Sequence, residues 1–374
     1  MEAQHLNACV QSQCQRNLKV DALSDFVYNA WYVACLSRDL SQGLKAMTLL
    51  SQAVVLYRDG RGVPVALEDA CPHRKLPLSM GRLKGDHVEC GYHGLTFDRT
   101  GTCVEAPTQE RIPAFACVRS FPVAEKWGLV WIWMGAAKLA RQEDIPLIEH
   151  FDDLAWHITA GDSFACRSHY LWLVDNLLDP SHVAWVHRSS FAGGGTDKTE
   201  LTITSDEKSV VCSRWIQNQP PPPFYAALVK FDGHADRLQH YEVRYPSWAI
   251  NKTVFTPAGR GGVDFDVRDP QTYMMVSYHF LTPVDADNTL YFWLQHRNTD
   301  PHNPDITARN AEGARAAFLE DKNVLEAVHQ GMKKNTGRVA TMGVDAAAIR
   351  FRQGLQKIMA SENPDHKSAA GFSL

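Results

Sequence analysis

The chain has 374 residues, 45% of them apolar, with a formal net charge of −4 at neutral pH. That length suits two domains with proper cores, and the nearly balanced charge carries no polyanion-binding signature, so nucleic acid is not an expected partner. No run reaches the roughly 18 apolar residues of a membrane helix, the first residues lack the basic and apolar regions of a secretion signal, and nine irregularly spaced cysteines suit reduced thiols in a cytoplasmic protein rather than a disulfide framework.

Residues 1–27 are polar with weak periodicity and read as an N-terminal extension. From Tyr28 the chain turns aromatic and β-rich, and residues 28–140 read as a small all-β domain. Strands are expected at Trp31–Cys35, Ala46–Leu50, Ala53–Tyr57 and Val63–Glu68, with Asp59-Gly60 as a hairpin turn. The last of these delivers the chain to Cys71-Pro72-His73-Arg74, which is followed, after an insert, by Cys90-Gly91-Tyr92-His93-Gly94. One Cys-x-His and one Cys-x-x-His form two mixed hooks. A tetrahedral zinc site accepts the same four ligands, but usually as a cysteine pair followed by a histidine pair. Mixed hooks are the pattern of a Rieske [2Fe–2S] centre, in which one iron takes the two thiolates and the other the two imidazoles. Cys71, His73, Cys90 and His93 are therefore the expected cluster ligands.

A polar stretch near Ala136–Asp144 marks the boundary to a second domain, residues 141–374. Leu201–Trp215 reads as a strand pair broken near Asp206, Gln219–Pro223 as a rigid extended segment, and Tyr241–Val254, Tyr273–Leu281 and Leu290–Arg297 as strands. Two helices follow, Ala308–Met332 and Val344–Met359, so the domain is α+β. Before these lies Tyr170–His187, which contains Asn176, Asp179, Pro180, His182 and His187. On one continuous helix Asp179 would project between the two histidines, on a face shared with Asn176. Pro180 is expected to kink or restart that helix, with Asp179 as its cap. Two histidines backed by a hydrogen-bonded aspartate suit a mononuclear iron. An iron that activates O₂ also needs a carboxylate ligand and open positions. Of the acids in Phe318-Leu319-Glu320-Asp321, Asp321 falls on the inward stripe with Ala311, Ala314, Phe318, Leu325 and Val328, whereas Glu320 is offset toward solvent. His279, His296 and His329 read as strand or surface histidines. Phe224, Tyr225, Trp248, Phe280, Phe292 and Trp293 are candidate pocket aromatics.

With both sites in hand, the chain resembles the terminal oxygenase component of Rieske non-haem iron oxygenases, within the vanillate O-demethylase and toluenesulfonate methyl-monooxygenase group. The matching stretches are Asn29–Ala34, the two hooks, Asp175–Asp179 through His187, Tyr291-Phe292-Trp293, Phe318–Asp321 and Gly343–Ala346. The resemblance implies a Rieske domain, a helix-grip catalytic domain of antiparallel sheet and long helices, and a homotrimeric ring. In that ring electrons cross from the cluster of one subunit to the Fe(II) of the next through Asp179. It also implies an NAD(P)H-dependent reductase carrying FMN and a plant-type [2Fe–2S] centre; no nucleotide-binding glycine motif occurs in this chain. The implied reaction is O-demethylation or hydroxylation of a small aromatic acid. The rivals are cis-dihydroxylation of an aromatic ring and electron transfer without catalysis, the latter disfavoured because a carrier has no use for a second metal site. One departure stands out: Lys75 follows Cys-Pro-His-Arg where relatives commonly have a small residue, often glycine.

Overall fold

The computed structural model describes residues 26–362 apart from positions 189, 197, 263 and 336; the expected extension thus lies outside the described residues but for Phe26 and Val27, which are buried. The chain forms two compact units, one comprising residues up to Leu147 together with Thr282–Asp285, the other Ile148–Leu281 and the residues from Ala286 onward.

The first unit is built from β-strands, with short 3-10 turns between them. Its strands are β1 (Trp31–Leu36), β2 (Lys45–Leu49), β3 (Gln52–Arg58), β4 (Pro64–Glu68), β5 (Arg82–Lys84), β6 (His87–Glu89), β7 (Thr96–Phe97), β8 (Cys103–Glu105), β9 (Ser120–Phe121), β10 (Val123–Lys126) and β11 (Leu129–Trp133). They form three sheets, β1-β11-β10, β2-β3-β4-β9 and β5-β6-β7-β8. The apolar runs of β1 and β11 are buried along their whole length and pair antiparallel, Trp31 opposite Trp133. The turn after β3 closes on Asp59, whose carboxylate accepts from the Arg61 and Val63 amides at 3.0 Å each. One hook leaves the end of β4 and the other spans β6 to β7. Both rise from a core of Val55, Tyr57, Leu67, Leu78, Val88 and Phe97, which also receives Cys71 and Cys90.

The second unit is a seven-stranded sheet carrying helices. Its strands are β12 (His157–Cys166), β13 (Thr202–Ser205), β14 (Ser209–Gln219), β15 (Ala235–Arg244), β16 (Trp248–Pro257), β17 (Tyr273–Pro283) and β18 (Thr289–Arg297), in the order β12-β18-β17-β16-β15-β14-β13. The helices are α1 (Tyr170–Leu177), α2 (Val183–Val186), α3 (Pro223–Ala226), α4 (Pro304–Lys334) and α5 (Ala346–Glu362). The single strand expected at Tyr241–Val254 is a hairpin instead: β15 and β16 pair from Ala235 opposite Pro257 to Arg244 opposite Trp248. Pro246 lies in the connection, where its missing N–H costs the ladder nothing. The extended run after β14 ends early, because Pro223 starts α3 as its first residue, a position suited to a residue without an amide donor. The long helix begins before its expected start, since Asn303 caps Asp305 and Ile306 through its side chain and Pro304 opens the first turn. Its inward stripe includes Ala314, Ala317 and Leu325 but ends on His329, while Val328 is exposed.

Candidate metal centres

The two hooks have one backbone design. Cys71 donates its amide to Leu76 O (2.9 Å) and accepts from Lys75 N (2.8 Å); Cys90 likewise donates to Leu95 O (2.8 Å) and accepts from Gly94 N (3.1 Å). Each loop therefore needs a left-handed residue four positions after its cysteine. Gly94 supplies it at φ 74°, Lys75 at φ 59°. The unusual lysine thus occupies the position for which glycine is conformationally suited, at a cost of about 1 kcal/mol. Its ammonium lies 3.9 Å from Glu68 with both side chains solvated, a weak pairing. Cys71 and Cys90 are each 2% exposed, whereas His73 is exposed and its ring lies 4.5 Å from that of His93. Buried thiols beneath outward imidazoles fit a cluster with its thiolate-bound iron inside and its imidazole-bound iron outside. Burial, then the adjoining Cys90 thiol, pushes Cys71 up to about 11; bound iron is what would ionise it.

The second centre is built where a helix breaks. α1 ends at Leu177, and Asp179 folds its carboxylate onto Ser181, accepting from the amide at 2.8 Å and the hydroxyl at 2.5 Å. His182 then caps the short α2, and His187 follows it. The helix breaks around Pro180 and restarts at Val183, with His182 rather than Asp179 as the cap, so the single-helix projection of Asp179 between the histidines does not hold. Its carbonyl, not its carboxylate, accepts from His182 Nδ1. His187 Nδ1 instead donates to Glu320 Oε2 at 2.7 Å. With both Nδ1 atoms engaged as donors, both Nε2 atoms carry lone pairs. These converge on Asp321 Oδ1, at 3.5 Å from His182 and 3.2 Å from His187. All three ligand atoms lie within 4.8 Å of one another, and Asp321 Oδ1 is buried without a hydrogen bond. Three acceptors facing one another are unfavourable unless a cation sits among them. Without one, protonation is the remaining relief: burial opposes it, but Asp321 and then Glu320 outweigh burial and raise the His187 pKa. Two imidazoles and one carboxylate grouped together are the donor set of a non-haem Fe(II) site with open positions.

Around the centre, α1, α4 and the sheet enclose a small cavity lined by Phe164, Leu173, Asn176, Tyr291, Phe318 and Asp321, among others. Phe318 meets His279, Tyr291 and Trp293 at 5.3–5.7 Å between ring centroids, which identifies the helix-facing side of the sheet. Trp293 lies on that side. Phe224 and Tyr225 belong to an aromatic group around Phe191, whose ring is 6.0 Å from His187. Phe292 alternates with Tyr291 and Trp293 and so points the other way, as do Trp248 and Phe280, which stack on each other and pair in register with Arg244 on that opposite side. None of the six expected aromatics is among the residues lining the cavity, and these three face away from it. His296 donates through Nδ1 to Glu149 O at 2.9 Å, and His329 pairs with Asp287 at 2.8 Å; neither joins the triad. His279 faces inward, bonded to Tyr291 OH at 2.7 Å, and burial holds it down to about 3. Sequence reasoning missed Glu320 as the partner of His187, and missed Phe191, Tyr291 and His279. The spacing of Phe318 from Asp321, one helical turn, was the available pointer to the cavity wall.

Comparison with known proteins gives two domain matches: the Rieske [2Fe–2S] domain over residues 30–122 and the vanillate O-demethylase oxygenase C-terminal domain over residues 166–361. The chain is 34% identical over 345 residues to the iron–sulfur subunit of the toluene-4-sulfonate monooxygenase system of Comamonas testosteroni, covering 90% of this chain and 98% of that one. It is 30% identical over 343 residues to the vanillate O-demethylase oxygenase subunit of a Pseudomonas strain, covering 90% and 96%. Dicamba monooxygenase bound to 3,6-dichlorosalicylic acid superposes with a TM-score of 0.81 at 32% identity, covering 90% of this chain and 98% of that one; a further crystal structure of that enzyme holds non-haem iron and dicamba.

Proposed function

Because the chain belongs to the Rieske non-haem iron oxygenases, in the branch with the vanillate O-demethylase-type C-terminal domain, we propose that it oxidises a methyl or methoxy carbon of a small aromatic acid. It is an oxygenase component, with a Rieske cluster and a mononuclear iron, and it works with a separate electron-donating component. The observation that carries the reading is the meeting of two imidazoles and a carboxylate, His182, His187 and Asp321, with their ligand atoms within 4.8 Å of one another and Asp321 Oδ1 buried without a hydrogen bond.

When bound, the iron supplies O₂ activation, placing one oxygen atom on carbon and releasing the other as water at the expense of two electrons and two protons. The chain's own groups do the rest. His182 and His187 are held in one tautomer by the Asp179 carbonyl and by Glu320. Phe318, Tyr291 and Phe164 give the small cavity beside the triad an aromatic wall against which a substrate would be positioned. A methoxy carbon nearest the iron gives a hemiacetal that collapses to formaldehyde and a phenol; a methyl carbon there gives an alcohol. In the same reading the protein is a trimer. Asp179, placed directly before the histidine pair, links the iron to the cluster of a neighbouring subunit. The donor is a reductase with FMN and a plant-type [2Fe–2S] centre, drawing on NAD(P)H.

The test is turnover of methylated and methoxylated benzoates and benzenesulfonates under ¹⁸O₂ with such a reductase. Formaldehyde with a phenol, or a benzylic alcohol with one labelled oxygen, is expected. A doubly labelled cis-diol as the main product overturns the reading.

A further inference from the structure

We propose that Arg214 and Arg237 form a buried clasp for the acidic group of the substrate, an inference that rests on the reading above and names the residues that would enforce it. The two lie on neighbouring strands: Arg214 of β14 is opposite Gln239 of β15, and Arg237 is two residues from Gln239. Directly opposed residues share a face and alternate residues along a strand do too. The series Arg214, Gln239, Thr253 and Met275 therefore continues, two residues on, to Ser277 and His279. That is the face meeting Phe318 and the metal triad.

Both arginines are nine-tenths or more buried, Arg214 at 7% exposure and Arg237 at 5%. Among the described residues neither has a carboxylate within ion-pair distance; Asp179 acts on Arg214 only through space. Buried cations are ordinarily paired, because desolvation otherwise goes uncompensated. Part of each fork has a structural duty. Arg214 donates through Nη1 to Thr196 O at 2.7 Å and through Nε to Gln239 at 2.8 Å; Arg237 donates through Nη1 to Phe191 O at 3.3 Å. The bonds to Thr196 O and Phe191 O fasten the glycine-rich loop that follows His187, while the bond to Gln239 stays within the sheet. Loop fastening accounts for neither the charge nor the donors left over: Arg214 Nη2 and Arg237 Nε are buried without an acceptor. The same face holds further buried unpartnered polar atoms, Asn251 Oδ1, Gln295 Oε1 and His279 Nε2. Native proteins leave few such atoms, so a concentration on one face above a metal triad points to a polar ligand.

The ligand's chemistry follows from the donors. Two guanidinium forks favour a planar or tetrahedral anionic oxygen group, a carboxylate or a sulfonate. Arg237 sits over the rings of Tyr225 and Phe255 at 5.3 and 5.5 Å. Phe191, whose carbonyl it holds, has its ring 6.0 Å from His187. An aromatic acid would place its anion on the clasp, its ring beside Phe191, and its far substituent toward the iron.

The experiment uses full-length protein loaded with cluster and iron. Anaerobic binding of 4-methylbenzoate and 4-toluenesulfonate is compared with that of 4-methylbenzamide and 4-toluenesulfonamide, followed by turnover of the same four with reductase. Wild type should favour the acids. R237Q and R214Q should weaken acid binding by about 10–100-fold, the loss expected for hydrogen bonds to a charged group, and leave amide binding nearly unchanged, so that the preference collapses. R237K keeps the charge but not the fork; it is expected to retain part of the preference and decides the matter if a glutamine variant fails to fold. Equal acid and amide affinity in wild type, a parallel fall for both ligands, or an undiminished preference in all three variants overturns the clasp alone. Neither binding nor turnover of any of the four, acid or neutral, overturns the broader reading and the clasp with it.

Discussion

Glu320 and Asp321 are adjacent acids beside one histidine, and the geometry gives them opposite tasks. Asp321 Oδ1 faces both Nε2 atoms, while Glu320 Oε2 takes the Nδ1 proton of His187 at 2.7 Å. Asp321→Asn removes a charged ligand and should abolish the mononuclear iron while leaving the cluster. Glu320→Gln keeps the ligand set but exchanges a charged acceptor for a neutral one. Losing such a partner typically costs 10–100-fold in metal affinity, or about 1.4–2.7 kcal/mol. The Glu320 side chain is 43% exposed, so solvent screens its charge, and about 10-fold is the expected loss. The assay is anaerobic titration of iron-depleted protein with Fe(II) against a chelator of known affinity, with the cluster spectrum as an internal control. Wild-type affinity in Asp321→Asn together with complete iron loss in Glu320→Gln would exchange the two roles and refute the argument from Nδ1 and Nε2.

Four further outcomes follow from named contacts. His73→Ala should abolish the cluster spectrum, whereas His182→Ala should preserve it and remove one iron per chain, as metal analysis and visible absorption will show. Lys75→Gly should stabilise the first unit by about 0.5–1 kcal/mol in thermal unfolding, because it relieves a left-handed lysine, while Gly94→Ala should destabilise it, its added carbon meeting Pro107 at 3.0 Å. Arg352→Met strands the largely buried Asp175, which it holds at 2.6 Å, and should cost roughly 3 kcal/mol in denaturant unfolding with the triad still able to bind iron. Burial works against the charge of Glu326, but the Arg167 amide, Lys322 and the Arg167 side chain outweigh it and lower its pKa to about 2. Its contribution, at most about 3 kcal/mol, is therefore present above its unfolded value near 4.3 and is lost as pH falls toward 2; Glu326→Gln should flatten that acid limb.

What could be read from the sequence divides along a physical line. The hooks are local: Cys71, His73, Cys90 and His93 declare themselves by spacing, because two short loops carry all four candidate ligands. Asp321 was legible because α4 is long and one-sided, so an acid on its inward stripe stands out. The left-handed role of Lys75 was not, since nothing in Cys-Pro-His-Arg-Lys announces the backbone bond from Lys75 N to Cys71 O. The break at Pro180 was foreseen, but not that it would turn the Asp179 carboxylate to Ser181 and leave its carbonyl to orient His182. Which of the sheet's aromatics face the helices was not legible for a related reason. β17 is buried at every position and β18 at nearly every one, and a strand covered on both sides loses the alternation that says which residues face the helices. Phe292 and Trp293 are indistinguishable in such a run; only the register, with Trp293 against Phe318, separates them. The arginines of β14 and β15 follow the same rule from the opposite side. In an exposed strand an arginine is unremarkable, but once the register turns Arg214 and Arg237 toward the triad, their charge has to be answered by something. Among the described residues no carboxylate within ion-pair distance answers it, so the identity of the substrate's acidic group becomes a question about these two side chains.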